Sequence, residues 1–196
     1  MVLIHGAWSR GTQWAPVRSA FEERGYTVHA PTLRHHDLPV LEGVSKIASL
    51  SLLDYVDDLV AIVDGLDSPP LLVGHSLGGL LAQLVATRTR QVGVVAACPS
   101  PVGPAGLTAP GIRITVRHLL QSRPWAKAIA PIDWRLFRST VAPTLTEAQA
   151  REIHADLVCE STRVLFWELA QPRLDRRKAA ARNFAAVSTP VLVIAG

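Results

Sequence analysis

Leu71-Leu72-Val73-Gly74-His75-Ser76-Leu77-Gly78-Gly79 is the stretch that decides how the rest of the chain is read. The apolar Leu71–Val73 follows Pro69-Pro70 and reads as a buried strand, and from Leu77 to about Thr89 the apolar residues have helical spacing. Between the two lies Gly-x-Ser-x-Gly. So short a strand-to-helix turn holds Ser76 at strained backbone angles. Gly74 and Gly78 are small where the helix must cross close to the strand. The strain lifts the Ser76 hydroxyl clear of the sheet, at the helix end where negative charge is favoured. A bare Gly-x-Ser-x-Gly is a weak pattern, and its strand-turn-helix setting is what makes Ser76 a candidate nucleophile.

Outward from this turn, short apolar runs alternate with amphipathic stretches. Upstream, Val2-Leu3-Ile4-His5 reads as a strand. Thr12 to Arg24 reads as a helix with Trp14, Val17 and Phe21 on one core-facing side and Gly25 as its terminator, and Tyr26 to Ala30 as a strand stopped by Pro31. The clearest helix runs from Ser51 to Leu66, with Leu52, Val56, Leu59, Val63 and Leu66 on one stripe and Ser51 with Asp54 as a reciprocal cap. Downstream, Gly93 to Cys98 is another buried strand, and Pro99 to about Gly111 is a Pro- and Gly-rich boundary. Residues 112–185 carry no comparable strand signal and read as short helices, including Glu147–Leu157 behind the pair Thr144 and Glu147, and Ser161–Leu169. Pro190 to Gly196 returns to a buried-strand pattern. The expected class is α/β, a mostly parallel sheet flanked by helices. The pattern divides the chain into an alternating segment over 1–101, a helical segment over 102–185, and a strand within 186–196.

Composition removes several classes. The chain has 196 residues, 48% hydrophobic and 18% charged, which is enough to bury a sizeable core and excludes disordered, collagen-like and disulfide-scaffold proteins. Two cysteines, Cys98 and Cys159, have no metal-ligand spacing. No apolar run approaches the roughly 18 residues of a membrane span, and the start at Met1 lacks the pattern of a secretion signal. A cytoplasmic protein without stable membrane insertion is expected. Residues 1–100 hold 7 basic and 9 acidic groups (net −2), and residues 101–196 hold 13 and 7 (net +6). The arginines are scattered and not interleaved with aromatics, so no nucleic-acid partner is expected.

A second element carries chemistry. His5-Gly6-Ala7-Trp8 directly follows the first strand, and a parallel sheet can bring that strand's end beside the serine turn. Acyl transfer through serine needs two backbone N–H groups aimed at the developing oxyanion, one from the residue after the nucleophile and one from such a loop. Leu77 and Ala7 are the candidates.

These two motifs, with the alternation between them, resemble the α/β-hydrolase fold family over residues 1–196. Within it, His5–Trp8 and the stretch Ser51–Leu59 leading to Val73–Ser76 are similar to small-molecule esterases and lysophospholipase-like hydrolases. The resemblance implies a serine hydrolase that cleaves carboxylic esters of small molecules or lipids through an acyl-serine intermediate. It implies Ser76 as nucleophile, Ala7 and Leu77 as oxyanion donors, a core over 1–101 with a helical cap or lid insertion over 102–185 and a returning core strand over 186–196, and no metal or organic cofactor; Trp8, beside the oxyanion loop, is a candidate wall of the substrate pocket. The family places an acid after the strand matching Pro190–Gly196 and a general-base histidine farther on. Both fall beyond Gly196, and the loop Cys98–Val102 offers no acid in their stead. The expectation is therefore a C-terminally incomplete hydrolase lacking a strand, a helix, the acid and the base. The rival readings are a non-catalytic ligand-binding protein or an inactive fragment of the same fold. Thioester, lactone, C–C bond and haloperoxidase chemistries share the fold.

The remaining histidines are read as structural. His75 leaves the turn in a different direction from Ser76. His5 is expected to brace its loop by hydrogen bonds to backbone. His35-His36-Asp37 has no third metal ligand nearby and is expected to be solvated or loop-fixing. His118 and His154 fall in the lid segment without a visible acidic partner, and Trp125, Trp134, Phe137, Phe166 and Trp167 give that segment its apolar load.

Overall fold

Residues 1–103, 128–181 and 184–195 are described by the computed structural model. The first part of the chain forms β1 (Val2–Ile4), a 3₁₀ turn at Gly11–Trp14, α1 (Ala15–Glu22), α2 (Val40–Ile47), α3 (Leu52–Asp64), β2 (Leu71–His75), α4 (Leu77–Ala86) and β3 (Gly93–Ala97). The second part forms β4 (Ala128–Ile129), α5 (Trp134–Thr140), α6 (Glu147–Ala155), β5 (Glu160–Ser161), a π-helix at Arg163–Ala170, a 3₁₀ turn at Phe184–Ala186 and β6 (Val191–Ile194). Four strands make one sheet in the order β1-β2-β3-β6, every pairing parallel. β4 and β5 pair antiparallel as a separate two-stranded sheet.

The alternation of apolar runs and amphipathic stretches is what builds this layer structure. α4 reads Leu-Gly-Gly-Leu-Leu-Ala-Gln-Leu-Val-Ala and is buried at every position. Its single polar side chain, Gln83, donates from Nε2 to the Gly79 carbonyl at 2.8 Å. α3 is amphipathic and buries Leu52, Tyr55, Val56, Leu59 and Val63. Its start carries the reciprocal cap expected of Ser51 and Asp54: the Ser51 hydroxyl accepts from the Leu53 amide, and the Ser51 amide donates to Asp54. A second, smaller apolar cluster of Ile132, Leu136, Phe137, Ala142 and Ala150 lies in α5, α6 and their flanks. No helix among the described residues is long and apolar enough to cross a membrane.

Several local expectations are corrected. Tyr26–Ala30 is not a strand: it makes one bridge, between Val2 and His29, because from β1's side only Met1 and Leu3 bond its backbone, while the Tyr26 amide turns back to the Phe21 carbonyl. The Thr12–Arg24 helix is shorter and split, and α1 has no buried residue. Trp14 is therefore half-buried rather than core, and Val17 is 36% exposed. Helical spacing marks an apolar stripe but does not specify what covers it. The cap of α6 is Thr146 with Gln149, not Thr144 with Glu147, because the helix begins at Glu147 and reciprocity runs over three residues. Ser161–Leu169 is not one α-helix: Glu160 and Ser161 pair with Ile129 and Ala128, and the winding that follows is π. β6 joins the sheet through β3, yet Val191 to Ile194 remain 43–57% exposed, so its apolar run is not buried among the described residues. His118 and Trp125 lie outside the described residues.

Candidate active site

Ser76 caps the N-terminus of α4 with φ 52° and ψ −118°, an angle pair that L residues rarely adopt. Two glycines make the turn possible. A Cβ on Gly74 would lie 2.0 Å from the Gly78 carbonyl oxygen, and a Cβ on Gly78 would lie 2.1 Å from the Ile4 carbonyl oxygen. α4 thus crosses both β1 and β2 at backbone contact. The Ser76 amide donates to the Ala97 carbonyl at 3.0 Å, and its carbonyl accepts from the amides of Gly79 at 3.0 Å and Ser100 at 2.9 Å. The backbone is tied at both ends, and Ser76 is half-buried. The hydroxyl's hydrogen-bond neighbour among the described residues is Ser100 Oγ at 3.5 Å. Ser100 was not singled out from the sequence, where it stood only as a residue of a Pro-rich boundary.

The loop after β1 reaches this serine. A Cβ on Gly6 would sit 3.2 Å from Ser76 Cβ, so Gly6-Ala7-Trp8 passes directly against the nucleophile candidate. Ala7 and Trp8 are half-buried and Leu77 is fully buried. Trp8 has φ 60° and Cys98 has φ 43°. Three of the chain's non-glycine residues at positive φ therefore meet around one spot, the kind of clustering that strained backbone shows at functional sites.

His5 fixes the loop, as its expected bracing role requires. Its ring is buried; Nδ1 donates to the Gly6 carbonyl at 2.8 Å, and Nε2 accepts from the Leu33 amide at 2.9 Å. A carbonyl can only accept and an amide can only donate, so these partners admit only the neutral ring with its proton on Nδ1. Burial pulls its pKa down to about 4, with the charge on His36 acting in the same direction.

His36 behaves differently: of the two roles expected for its segment, solvated or loop-fixing, burial rules out the first, and its bond to the Arg34 carbonyl agrees with the second. It is 0% exposed and so is Glu160, from β5. His36 Nε2 lies 3.1 Å from Glu160 Oε2, while Nδ1 donates to the Arg34 carbonyl at 3.1 Å. Glu160 Oε1 accepts from Tyr55 Oη and from its neighbour's amide, Ser161 N–H, each at 2.8 Å. Burial alone would lower the His36 pKa, but the Glu160 carboxylate outweighs it and raises it. Burial likewise pushes Glu160 up, and His36 with the two donors brings it below its usual value. The pair is an ion pair, satisfied on every side. A second carboxylate, Glu168, accepts from Ser51 Oγ and from the Leu52 amide, each at 2.7 Å, and pairs with Arg163. No sequence signal pointed to Glu160 or Glu168, since a buried acid is legible only through the partner that folding brings to it.

His75 is exposed and lines a cleft of about 280 Å³ with His5, Gln13, Trp14 and Ala97. It is not among the hydrogen-bond partners of Ser76. Neither a histidine nor a carboxylate among the described residues hydrogen-bonds Ser76 Oγ. His154 Nε2 donates to the Ile132 carbonyl at 2.8 Å and the ring packs on Trp134 and Phe137, a structural position. No group of three His, Cys, Asp or Glu side chains among the described residues is arranged to hold a metal ion.

A parallel sheet, a glycine-bound serine at positive φ between strand and helix, and a β1 loop laid against that serine define the class. The alpha/beta hydrolase family model matches residues 1–196, and the chain belongs to that family. A pyrethroid hydrolase from Sphingobium wenxiniae is 38% identical over 79 residues, which is 40% of this chain and 27% of that protein. The matched stretch therefore spans about a quarter of the relative's own length. Among solved structures, an extracellular alpha/beta-hydrolase from a Paenibacillus species superposes with a TM-score of 0.76 at 23% identity, over 98% of this chain and 75% of that one. A methylesterase from Arabidopsis gives a TM-score of 0.71 at 14% identity, with the same coverage of 98% and 75%. At such identities these structures share the fold.

Proposed function

We propose that the protein carrying this chain is a serine hydrolase of carboxylic esters of small molecules or lipids. The observation that carries the reading is the Ser76 turn: a serine at positive φ on a doubly anchored backbone at a helix N-terminus, with Gly6 of the β1 loop against it. Ser76 Oγ attacks the ester carbonyl and loses its proton to a base; the amides of Ala7 and Leu77 hold the oxyanion. Collapse expels the alcohol, and water then attacks the acyl-serine and releases the acid. The chemistry needs no metal or organic cofactor. Trp8 forms a wall of the substrate pocket, and the segment 102–185 serves as a cap over it. The base is a group other than the described histidines, none of which hydrogen-bonds Ser76 Oγ. The family membership and the 38% identity over 79 residues to a pyrethroid hydrolase support hydrolysis as the reaction class.

The test is fluorophosphonate labelling and p-nitrophenyl ester hydrolysis with the full-length protein and its Ser76→Ala variant. The reading expects the label on Ser76 and loss of hydrolysis by at least about 10³-fold in the variant. Ester or lipid binding without label and without turnover points instead to the non-catalytic ligand-binding protein.

A further inference from the structure

The buried carboxylate of Glu160 lies at one end of a series of hydrogen bonds, joined covalently through His36 and Leu33, whose other end is the peptide between Gly6 and Ala7. Glu160 Oε2 meets His36 Nε2 at 3.1 Å. The His36 ring is held on its other nitrogen by the Arg34 carbonyl, and its backbone amide donates to the Leu33 carbonyl at 3.0 Å, closing the turn Leu33–His36. The Leu33 amide donates to His5 Nε2 at 2.9 Å, and His5 Nδ1 donates to the Gly6 carbonyl at 2.8 Å. That carbonyl and the Ala7 N–H belong to one planar trans peptide and point in opposite directions. The pull of His5 on the oxygen thus sets where the Ala7 N–H aims.

The same segment of chain grips the loop a second time. The Val158 amide donates to the Trp8 carbonyl at 2.8 Å, and Asp156 accepts from Thr12 Oγ1 at 3.0 Å. Residues 156–160 therefore hold the loop 6–12 from one side through backbone and from behind through the Glu160 network. Tyr55 and the Ser161 amide fix the carboxylate itself, so it cannot follow the His36 ring if that ring shifts.

We propose that Glu160 is a positioning residue: through His36, the Leu33–His36 turn and His5, this carboxylate from outside the sheet aims the Ala7 oxyanion donor. The inference rests on the serine-hydrolase reading above, and the segment 102–185 thereby does more than cover a pocket, because part of it sets the geometry of the donor.

The two candidate substitutions at 160 differ in a useful way. In Glu160→Gln the side-chain oxygen still accepts from Tyr55 and Ser161, while the amide nitrogen donates to Nε2 of a neutral His36, so the chain of hydrogen bonds survives without charge. Glu160→Ala cuts it. Loss of a whole oxyanion donor costs about 10²–10³ in kcat, and a misaimed one costs less. With full-length protein and p-nitrophenyl acetate, Glu160→Ala is expected to lower kcat and the fluorophosphonate labelling rate of Ser76 about tenfold. KM should stay within about twofold, and Glu160→Gln should stay within about twofold of the parent in both constants. Unchanged kcat in folded Glu160→Ala overturns the proposal and leaves a purely structural clasp. An equal loss in both variants also overturns it, because charge and not aim would then be at work. If Glu160→Ala does not fold, Tyr55→Phe removes one of the carboxylate's anchors and should lower kcat about two- to threefold at constant KM; no change there overturns the inference equally. Ser76→Ala run alongside separates the two levels: hydrolysis that survives it refutes the serine reading itself, whereas hydrolysis lost in Ser76→Ala but untouched in the Glu160 variants refutes this inference alone.

Discussion

Lowering the pH from 7 to 4 should destabilise the protein through His5 in a way that can be calculated. The ring must keep its proton on Nδ1 to reach the Gly6 carbonyl and must keep Nε2 bare to accept from the Leu33 amide. Protonating Nε2 would set two donors against each other in a site closed to water. Burial accordingly holds the folded-state pKa at about 4, against 6.5 for an unperturbed histidine. Between those two values the unfolded chain binds a proton that the folded chain refuses, so stability falls as pH drops through that window. Above about pH 6.5 both states are neutral and His5 adds no slope. Integrated over the window, the loss is about 2 kcal/mol by pH 5 and about 3 kcal/mol by pH 4. Urea unfolding of the full-length protein and of His5→Gln at pH 7, 6, 5 and 4 reads this directly. Glutamine can accept from Leu33 but cannot titrate, and every other titrating group is common to both proteins and cancels in the difference. With a slope of about 2 kcal/mol per molar urea, the parent's midpoint should fall by about 1 M relative to the variant between pH 7 and pH 5. A difference between the two midpoints that stays constant from pH 7 to pH 4 would refute the reasoning.

Two further outcomes follow from the crossing of α4 over the sheet. Gly78→Ala puts a methyl group 2.1 Å from the Ile4 carbonyl oxygen and 2.5 Å from that of His5, both backbone atoms that no rotamer change can move. It should cost at least about 3 kcal/mol, seen as a lowered Tm or as loss of soluble yield, and an unaltered Tm would contradict the close approach. Leu80→Ala removes a fully buried side chain from the all-apolar α4 and should cost about 2–5 kcal/mol by urea unfolding. A cost below about 1 kcal/mol would mean that the helix is not packed as described.

What could be read without coordinates was whatever is encoded locally. The Ser51–Asp54 cap, the α3 stripe and the Gly74–Gly78 turn each place cause and consequence within a few residues, and each formed as expected. α2 is not legible in the sequence, because Val40–Ile47 follows Pro39 with few residues to show a period. Tyr26–Ala30 has the composition of a strand but pairs at His29 alone, since strand formation depends on the neighbour's length and not on the segment. At the site, Ser76 and its glycines are contiguous in sequence and were legible. His36 and Glu160 are 124 residues apart, and a lone histidine and a lone glutamate carry no mark of the partner that makes their burial tolerable. Ser100 was hidden for the same reason: its relation to Ser76 exists only once β2 and β3 are side by side.

The order of the strands also has a consequence in time. β1 pairs with β2 at Val2 and Leu72, 70 positions later, and β3 pairs with β6 at Val94 and Val191, 97 positions later. Parallel pairing demands such long crossovers, and their non-local contacts make folding slow. At about 5–20 residues per second of synthesis, about 4–14 s separate β1 from its partner strand β2. During that interval Val2, Leu3 and Ile4, later sealed beneath α4, face the solvent. β2 is the strand that ends the wait, and it does so twice within a short span, since β1 is already made and β3 emerges about 20 residues after it. Along the chain the sheet is therefore completed in the order of its strands, from β1 across β2 and β3 to β6, and the serine turn lies at the end of the strand that makes its first pair.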